Sequence, residues 1–404
     1  MRVSFTSRLG VLAAVALSTV GLAGTTASVA SAGHGPRSPK PPTLYVNGSM
    51  LSGYGHDPCS TATFTTISAA VAAAAPGSRI IVCPGTYQEN VTVPEPLSIE
   101  GIHATVDATG KTNGFTVLPP AAGTTIQGFK VENALAEGII AVTTTDVSIV
   151  DNTVENNDKG VRLPGTGVEC EVSPENEFPD CGEGVHLMGT SNSRIVGNTI
   201  RHNSGGVLLT DETGPTHGNV IAHNRVLENV EDCGITLAGH NPGGAPGGVP
   251  APTVAGIYEN LVEDNVSVGN GVKGEGAGVL LAAGIPIGGG AVYDNTVTGN
   301  FLEGNALAGV TVHNHFPGQD LNGNRIVNNR IATNNVNGDP DFFPVVDPST
   351  TGIFVGTAGA PLTITIKHNV IFSNEIGIFL TGPLNIEQIK HNVFIGVTTN
   401  VVGP

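Results

Sequence analysis

The pattern N-x-[VI]-x-x-N recurs along this chain and limits the possible fold more than any other feature. It reads NTVENN at 152–157, NTIRHN at 198–203, NRVLEN at 224–229, NLVEDN at 260–265, NTVTGN at 295–300, NRIATN at 329–334 and NVIFSN at 369–374. Most copies are followed by G-[VI]-x-[LV]: GVRL at 160, GVHL at 184, GVLL at 206, GITL at 234, GVLL at 278, GVTV at 309, GIFV at 352 and GIFL at 377. Self-similarity on this scale marks a stacked-repeat architecture. Short β-branched runs alternate in and out, so Val207 and Leu209 are expected to face a core and Leu208 to face outward. Asn suits a sharp bend, because it tolerates left-handed backbone and its amide can bond its counterparts one turn above and below. The expected object is an all-β, three-sided coil, with Asn198, Asn224, Asn295, Asn329 and Asn369 stacked along one bend.

An α-helical solenoid is excluded, since these turns are rich in Gly and Val; the chain holds 56 Gly and no Trp. The first 32 residues read as an export signal: Arg2 and Arg8, an apolar core, then Ala30-Ser31-Ala32. Residues 33–43 are a Pro-rich lead-in, and 44–404 form one coil domain, with the cap and first coil in 44–100. No later segment is apolar enough to span a bilayer. The expected product is therefore secreted, extracellular and soluble, and a monomer.

With 17 basic against 34 acidic residues, the chain lacks the basic footprint that nucleic acid requires. The same balance counts against a strongly anionic polymer, unless a cation or a local Arg/Lys cluster reverses the field. Five cysteines fit an oxidising compartment. Cys59–Cys83 and Cys170–Cys181 are the expected disulfides, with Cys233 buried at an inward-facing position beside GITL.

The arrangement resembles the right-handed parallel β-helix of the pectin-lyase-like superfamily, over about residues 44–400. The segment FTTISAAVAAAAPGSRIIVCPGTYQENVTV (64–93) is similar to the superfamily's opening. The resemblance implies a capping helix at about Thr66–Ala75, then a strand and a G-T-Y-x-E turn formed by Gly85, Thr86, Tyr87 and Glu89. It also implies a substrate groove along the G-[VI]-x-[LV] strands. The sharper signatures of pectin methylesterases, polygalacturonases and pectate or pectin lyases are missing, so none of their substrates carries over.

On that groove the outward residues are expected to stack as Arg162, His186, Leu208, Thr236, Leu280, Thr311, Phe354 and Phe379. Four residues past the outward position, Glu212 of one turn aligns with His240 of the next, with Asp211 beside Glu212 and Asp232 just before the strand leading to His240. A carboxylate beside an imidazole serves a general acid or base, because the anion raises the histidine's proton affinity and fixes its tautomer. His240, Glu212, Asp211, His186 and Asp232 are thus the candidate catalytic residues, and Arg162, His313, His315 and Lys273 the candidate substrate contacts. Asp211, Glu212 and Asp232 also offer the carboxylate pair that glycosidases use.

His313 and His315 share a parity, but H-x-H without further ligands does not make a metal site, and none is expected. Ca²⁺ is an alternative to Arg162 as the positive charge that elimination needs. His202, His223, His368 and His391 sit at bends and are read as turn residues. The expected function is a polysaccharide lyase or glycoside hydrolase; the alternative is a non-catalytic β-helix that binds glycan or cell wall, or acts as a spacer.

Overall fold

In the computed structural model the described residues are 41–48, 58–158, 183–240, 255–283, 290–314, 318–338, 349–358, 361–385 and 388–403. Each turn of the coil uses two short sides and one longer one. A typical turn runs Arg194–Val196, Thr199–Arg201 and Gly205–Thr210. The longer strands form a parallel sheet of eleven, from Val91–Val93 at one end to Thr399–Val402 at the other; we call it the front sheet. The short strands belong to a 21-stranded parallel sheet covering the other two sides. Its two rows are joined near the N-terminus by the long strands Ser98–Asp107 and Thr125–Glu132, each spanning what later becomes a bend. No helix among the described residues is long and apolar enough to cross a membrane.

Parallel in-register pairing places like residues on like. On the front sheet Ile139, Val185, Val207, Ile235, Val279, Val310, Ile353 and Ile378 form one inward column. Ile149, Ile195, Ile221, Val262, Val297, Ile326 and Ile366 form another. All of these are fully buried. The apolar burial along such columns is the main force that holds the turns together.

Buried asparagines run in ladders beside the apolar columns. One links Asn152, Asn198, Asn224, Asn265, Asn300, Asn329, Asn369 and Asn392, each Nδ2 donating to the next Oδ1 at 3.0–3.1 Å. A second links Asn157, Asn203, Asn229, Asn270, Asn305 and Asn334, and a third Asn219, Asn260, Asn295 and Asn324. The expected single bend is therefore corrected, because Asn295 lies on a different edge from Asn198, Asn224, Asn329 and Asn369. Both short sides are five residues long, so N-x-[VI]-x-x-N describes either one. NTVTGN spans the side before the one spanned by NTIRHN.

The left-handed residue is also not the asparagine. It is the residue before it: His223, His368 and His391 have φ of 57°, 58° and 59°. Asn itself turns inward, and its amide satisfies backbone carbonyls that the bend would leave buried and unpaired, as in Asn224 Nδ2 to Ile195 O at 2.8 Å. The glycine that opens each front strand is needed for close approach. A Cβ on Gly206 would lie 2.2 Å from the Gly234 carbonyl oxygen and 2.3 Å from a Val226 methyl.

The N-terminal end is closed by a helix at Ile67–Ala73, whose N-cap is Thr66. The G-T-Y-x-E turn explains itself here. Both Glu89 oxygens accept from the first backbone N–H groups of this helix, Ile67 at 2.7 Å and Ser68 at 2.8 Å. The Tyr87 hydroxyl donates to the Cys83 carbonyl at 2.8 Å. Cys59 and Cys83 are disulfide-bonded as expected, whereas Cys170 and Cys181 lie outside the described residues. Cys233 is buried, and its Sγ accepts from the Ala277 N–H at 3.1 Å. It packs in a satellite cluster with Ala277, Leu307 and Leu280 rather than in the coil interior, which corrects the inward placement.

Candidate active site on the front sheet

The outer column of the front sheet runs Ile140, His186, Leu208, Thr236, Leu280, Thr311, Phe354 and Phe379. From His186 onward this is the expected stack. Below His186 the register partner is Ile140, so Arg162 does not hold that place. The turn is completed by EGIIAV (137–142), and GVRL at 160 falls in residues 159–182, outside those described. The middle of this face is also closed where an open groove was expected. His186, Leu208, Thr236, Thr311 and His313 are each less than 5 % exposed.

Strand pairing brings Glu212 and His240 together where the Gly205–Thr210 and Ile235–Gly239 strands end. His240 Nδ1 lies 2.5 Å from Glu212 Oε1. The His240 backbone N–H donates to Asp211 Oδ1 at 2.8 Å, and the Gly256 N–H donates to Asp211 Oδ2 at 2.7 Å. Asp211 is thus a fully buried clamp that fixes the His240 backbone to the next connection. Its side chain does not face a cleft as an acid, as the catalytic assignment required. The Glu212 side chain is 4 % exposed and that of His240 19 %.

Burial pushes the Glu212 carboxyl up. The charge and hydrogen bond of His240, the charge of His186 and the Thr210 hydroxyl more than offset this and hold it below the usual carboxylate range. With Glu212 anionic, His240 Nδ1–H donates to it, and proton exchange with a bound molecule would run through Nε2.

His186 lies one turn earlier and is buried. Its Nδ1 is 3.1 Å from Glu137 Oε1 and its Nε2 is 2.8 Å from Thr210 Oγ1. Glu137 and Glu183 are front-edge acids that sequence reasoning missed, although a signal existed: Glu precedes the strand glycine in both EGII (137) and EGVH (183). The donor atoms of Glu137, Glu183 and His186 lie within 4.8 Å of one another, close enough to hold a metal ion. Two carboxylates and an imidazole suit a small borderline cation better than Ca²⁺, which takes six to eight oxygens.

The remaining candidates separate. Asp232 accepts from the Cys233 N–H at the start of its strand, so the whole Ile235–Gly239 strand, about 16 Å at 3.3 Å per residue, divides it from His240. Lys273 lies at that same early edge, its backbone N–H bonded to Val230 O. Neither joins the Glu212–His240 pair, since each precedes a front strand instead of following one. His313 is on the outer face, in register with Ala282 and Gly356, two turns beyond the His240 strand. His315 lies outside the described residues. Phe354 and Phe379 meet edge to face, at 67° and 5.6 Å, so they present no flat double platform. Around the corner from Asp211, His217, Tyr258 and Tyr293 stack at 4.8 and 5.0 Å, a row that sequence reading missed.

Residues 121–318 match the family model described as "Right handed beta helix region". An alginate lyase from Paenibacillus sp. str. FPU-7 superposes with a TM-score of 0.53 at 15 % identity, covering 85 % of this chain and 99 % of that one. Pectate lyase Pel9A gives 0.45 at 15 %, covering 87 % and 79 %. A lacto-N-biosidase from Eubacterium ramulus gives 0.46 at 12 %, covering 89 % and 68 %. No curated protein sequence matches. At these identities the likeness is one of fold, a right-handed parallel β-helix.

Proposed function

We propose that this right-handed parallel β-helix is an exported carbohydrate-active enzyme that cleaves a polysaccharide by β-elimination, with His240 as the base. The observation that carries this reading is the division of labour at the end of the front strands. Asp211 is spent on two backbone N–H groups and Glu212 on His240. Hydrolysis needs two carboxyl groups that reach the sugar, and both of these are buried. The imidazole is the partly exposed group of the three, held in one tautomer by a buried anion, as proton abstraction requires. Elimination also needs positive charge facing the sugar carboxylate; Arg162, expected in that role from sequence, lies outside the described residues. The alginate lyase named above has the same fold, and the disulfide agrees with an oxidising compartment.

A glycan-binding module without catalysis is the competing reading, favoured by the closed middle of the outer face. Incubating the protein with plant, algal, fungal and bacterial polysaccharides separates the two. New reducing ends with the ultraviolet absorbance of unsaturated sugars support elimination. Reducing ends without that absorbance would move the assignment to hydrolysis, and binding with no cleavage would move it to the module.

A further inference from the structure

Glu137, Glu183 and His186 are buried side by side on two successive turns of the front sheet. Part of their bonding is architecture. One turn earlier, Asn113 Oδ1 accepts from the Glu137 backbone N–H at 3.1 Å, and Glu137 Oε2 accepts from the Glu183 N–H at 3.0 Å in the same way. A neutral amide thus suffices for the coil at this position, and a carboxylate adds an ionised oxygen that the backbone does not use. That oxygen, Glu137 Oε1, lies 3.1 Å from His186 Nδ1. Gly205 pairs with Glu183 in the next turn, where a Cβ would stand 3.1 Å from Glu183 Oε1, so space is kept beside the second carboxylate. The later front strands carry Gly205, Cys233, Ala277, Ala308, Thr351 and Ile376 before their glycines. Among the described strands, acids at this place belong to the two turns that meet at His186.

We propose that Glu137, Glu183 and His186 ligate one divalent transition-metal ion such as Zn²⁺. The hydrogen-bond directions call for a cation here. The Thr210 hydroxyl stabilises the Glu212 anion, so its proton faces that carboxylate. Its oxygen, 2.8 Å from His186 Nε2, is left to accept, and Nε2 carries the hydrogen. Nδ1 then turns its lone pair toward Glu137 Oε1. Two acceptors 3.1 Å apart repel each other unless positive charge lies between them. A proton would bring one charge against two buried carboxylates, whereas a divalent ion brings two and can bond Glu183 as well, whose oxygen stands within 4.8 Å of the others. Imidazole nitrogen and carboxylate oxygen are ligands that Zn²⁺ accepts, and three protein ligands leave a fourth position for water or a small anion. The supporting bonds are also those of a metal centre: Thr210 holds the far side of the imidazole, and the Glu183 N–H holds the far oxygen of Glu137. The ion would pin together two turns that 46 residues of chain separate.

The test needs no turnover, so it stands apart from the assignment of His240. The intact protein is stripped with a chelator and dialysed against Zn²⁺, and its metal content and thermal melting are measured. The expected result is one Zn²⁺ per chain and a Tm raised by roughly 3–5 °C at saturation, because an ion that binds only the folded state stabilises it by mass action. Glu137→Gln keeps an acceptor for the Glu183 N–H, as Asn113 provides for Glu137, and removes the charge. It and Glu183→Gln should each weaken Zn²⁺ binding by about a hundredfold, and Thr210→Val, which removes only a supporting bond, by about tenfold. The exposed and stacked His368 and His391 could take up Zn²⁺ adventitiously; the double variant His368→Ala/His391→Ala should therefore keep its ion. Absence of bound Zn²⁺ overturns the site, as does Zn²⁺ that is lost in the double variant and retained in folded Glu137→Gln and Glu183→Gln. Ca²⁺ raising Tm as far as Zn²⁺ overturns the proposed class of ion. Should either Glu variant fail to fold, X-ray absorption at the zinc edge of the wild-type protein decides: one imidazole with oxygen ligands supports the site, and two imidazoles overturn it.

Discussion

The buried asparagines and the buried acids are both polar groups in an apolar body, yet they follow opposite logics. Asn224 has a counterpart above, a counterpart below and a carbonyl to bond, and the same set of contacts recurs at Asn265 and Asn300. Glu212 has no Glu above or below in its column; it has a histidine, and one of its oxygens has no partner. In a coil, polar burial that repeats is architecture. Polar burial that occurs once, with its satisfaction incomplete, is where chemistry is to be sought.

The sharpest way to break this contrast is His240→Ala. Turnover of any cleaved glycan should fall by about 10²–10⁴-fold, the range for a lost general acid or base. Thermal stability should stay close to wild type; a large drop in Tm would place His240 with the architecture. Asn265→Ala should do the reverse. It removes bonds to Asn224, Asn300 and the Ile221 carbonyl, and chemical denaturation should show a loss of about 3 kcal/mol, a typical cost for disrupting a buried polar network. Activity per folded molecule should be retained.

A third expectation concerns acid. The Glu212 carboxyl is held below the usual range in the folded chain, so its contribution is complete above the ordinary Glu value of about 4.3 and is lost as pH falls through the lowered one. The acid limb of Tm against pH should therefore flatten in Glu212→Gln, and an unchanged limb would deny the ion pair. The smallest effect is expected for His223→Ala. That side chain sits outside the Asn ladder on left-handed backbone, and its loss should leave turnover intact and cost under about 1 kcal/mol. Abolished activity in a folded His223→Ala would mean that the wrong face had been chosen.

Repetition decided what could be read from sequence. The G-[VI]-x-[LV] register is set by period-two burial, and it placed Glu212 beside His240 without further information. Asn295 was misplaced because successive five-residue sides share one motif, and only the backbone path tells them apart. Arg162 was placed in the stack because GVRL matches the strand motif, whereas the strand itself is EGIIAV with the less typical Ala141 at an inward position. Asp232 and Lys273 were singled out because each precedes a front strand, although a strand separates its two ends by its full length. Glu137 lies 49 residues from His186; the shared Glu-Gly before both strands marked the edge, and only the strand pairing joins the two across that distance.

The ladders have one more consequence, for chain length. Consecutive asparagines on the first bend are separated by 46, 26, 41, 35, 29, 40 and 23 residues, yet every rung closes at the same distance. Loop-closure entropy grows only logarithmically, so lengthening a turn from 23 to 46 residues costs about 0.6 kcal/mol. Interactions that join one turn to the next are indifferent to how much chain was spent between them. Insertions after a front strand, on the side where His240 stands, would therefore be nearly neutral to stability while changing what reaches the imidazole. Such a body can acquire a new specificity by adding residues without replacing any.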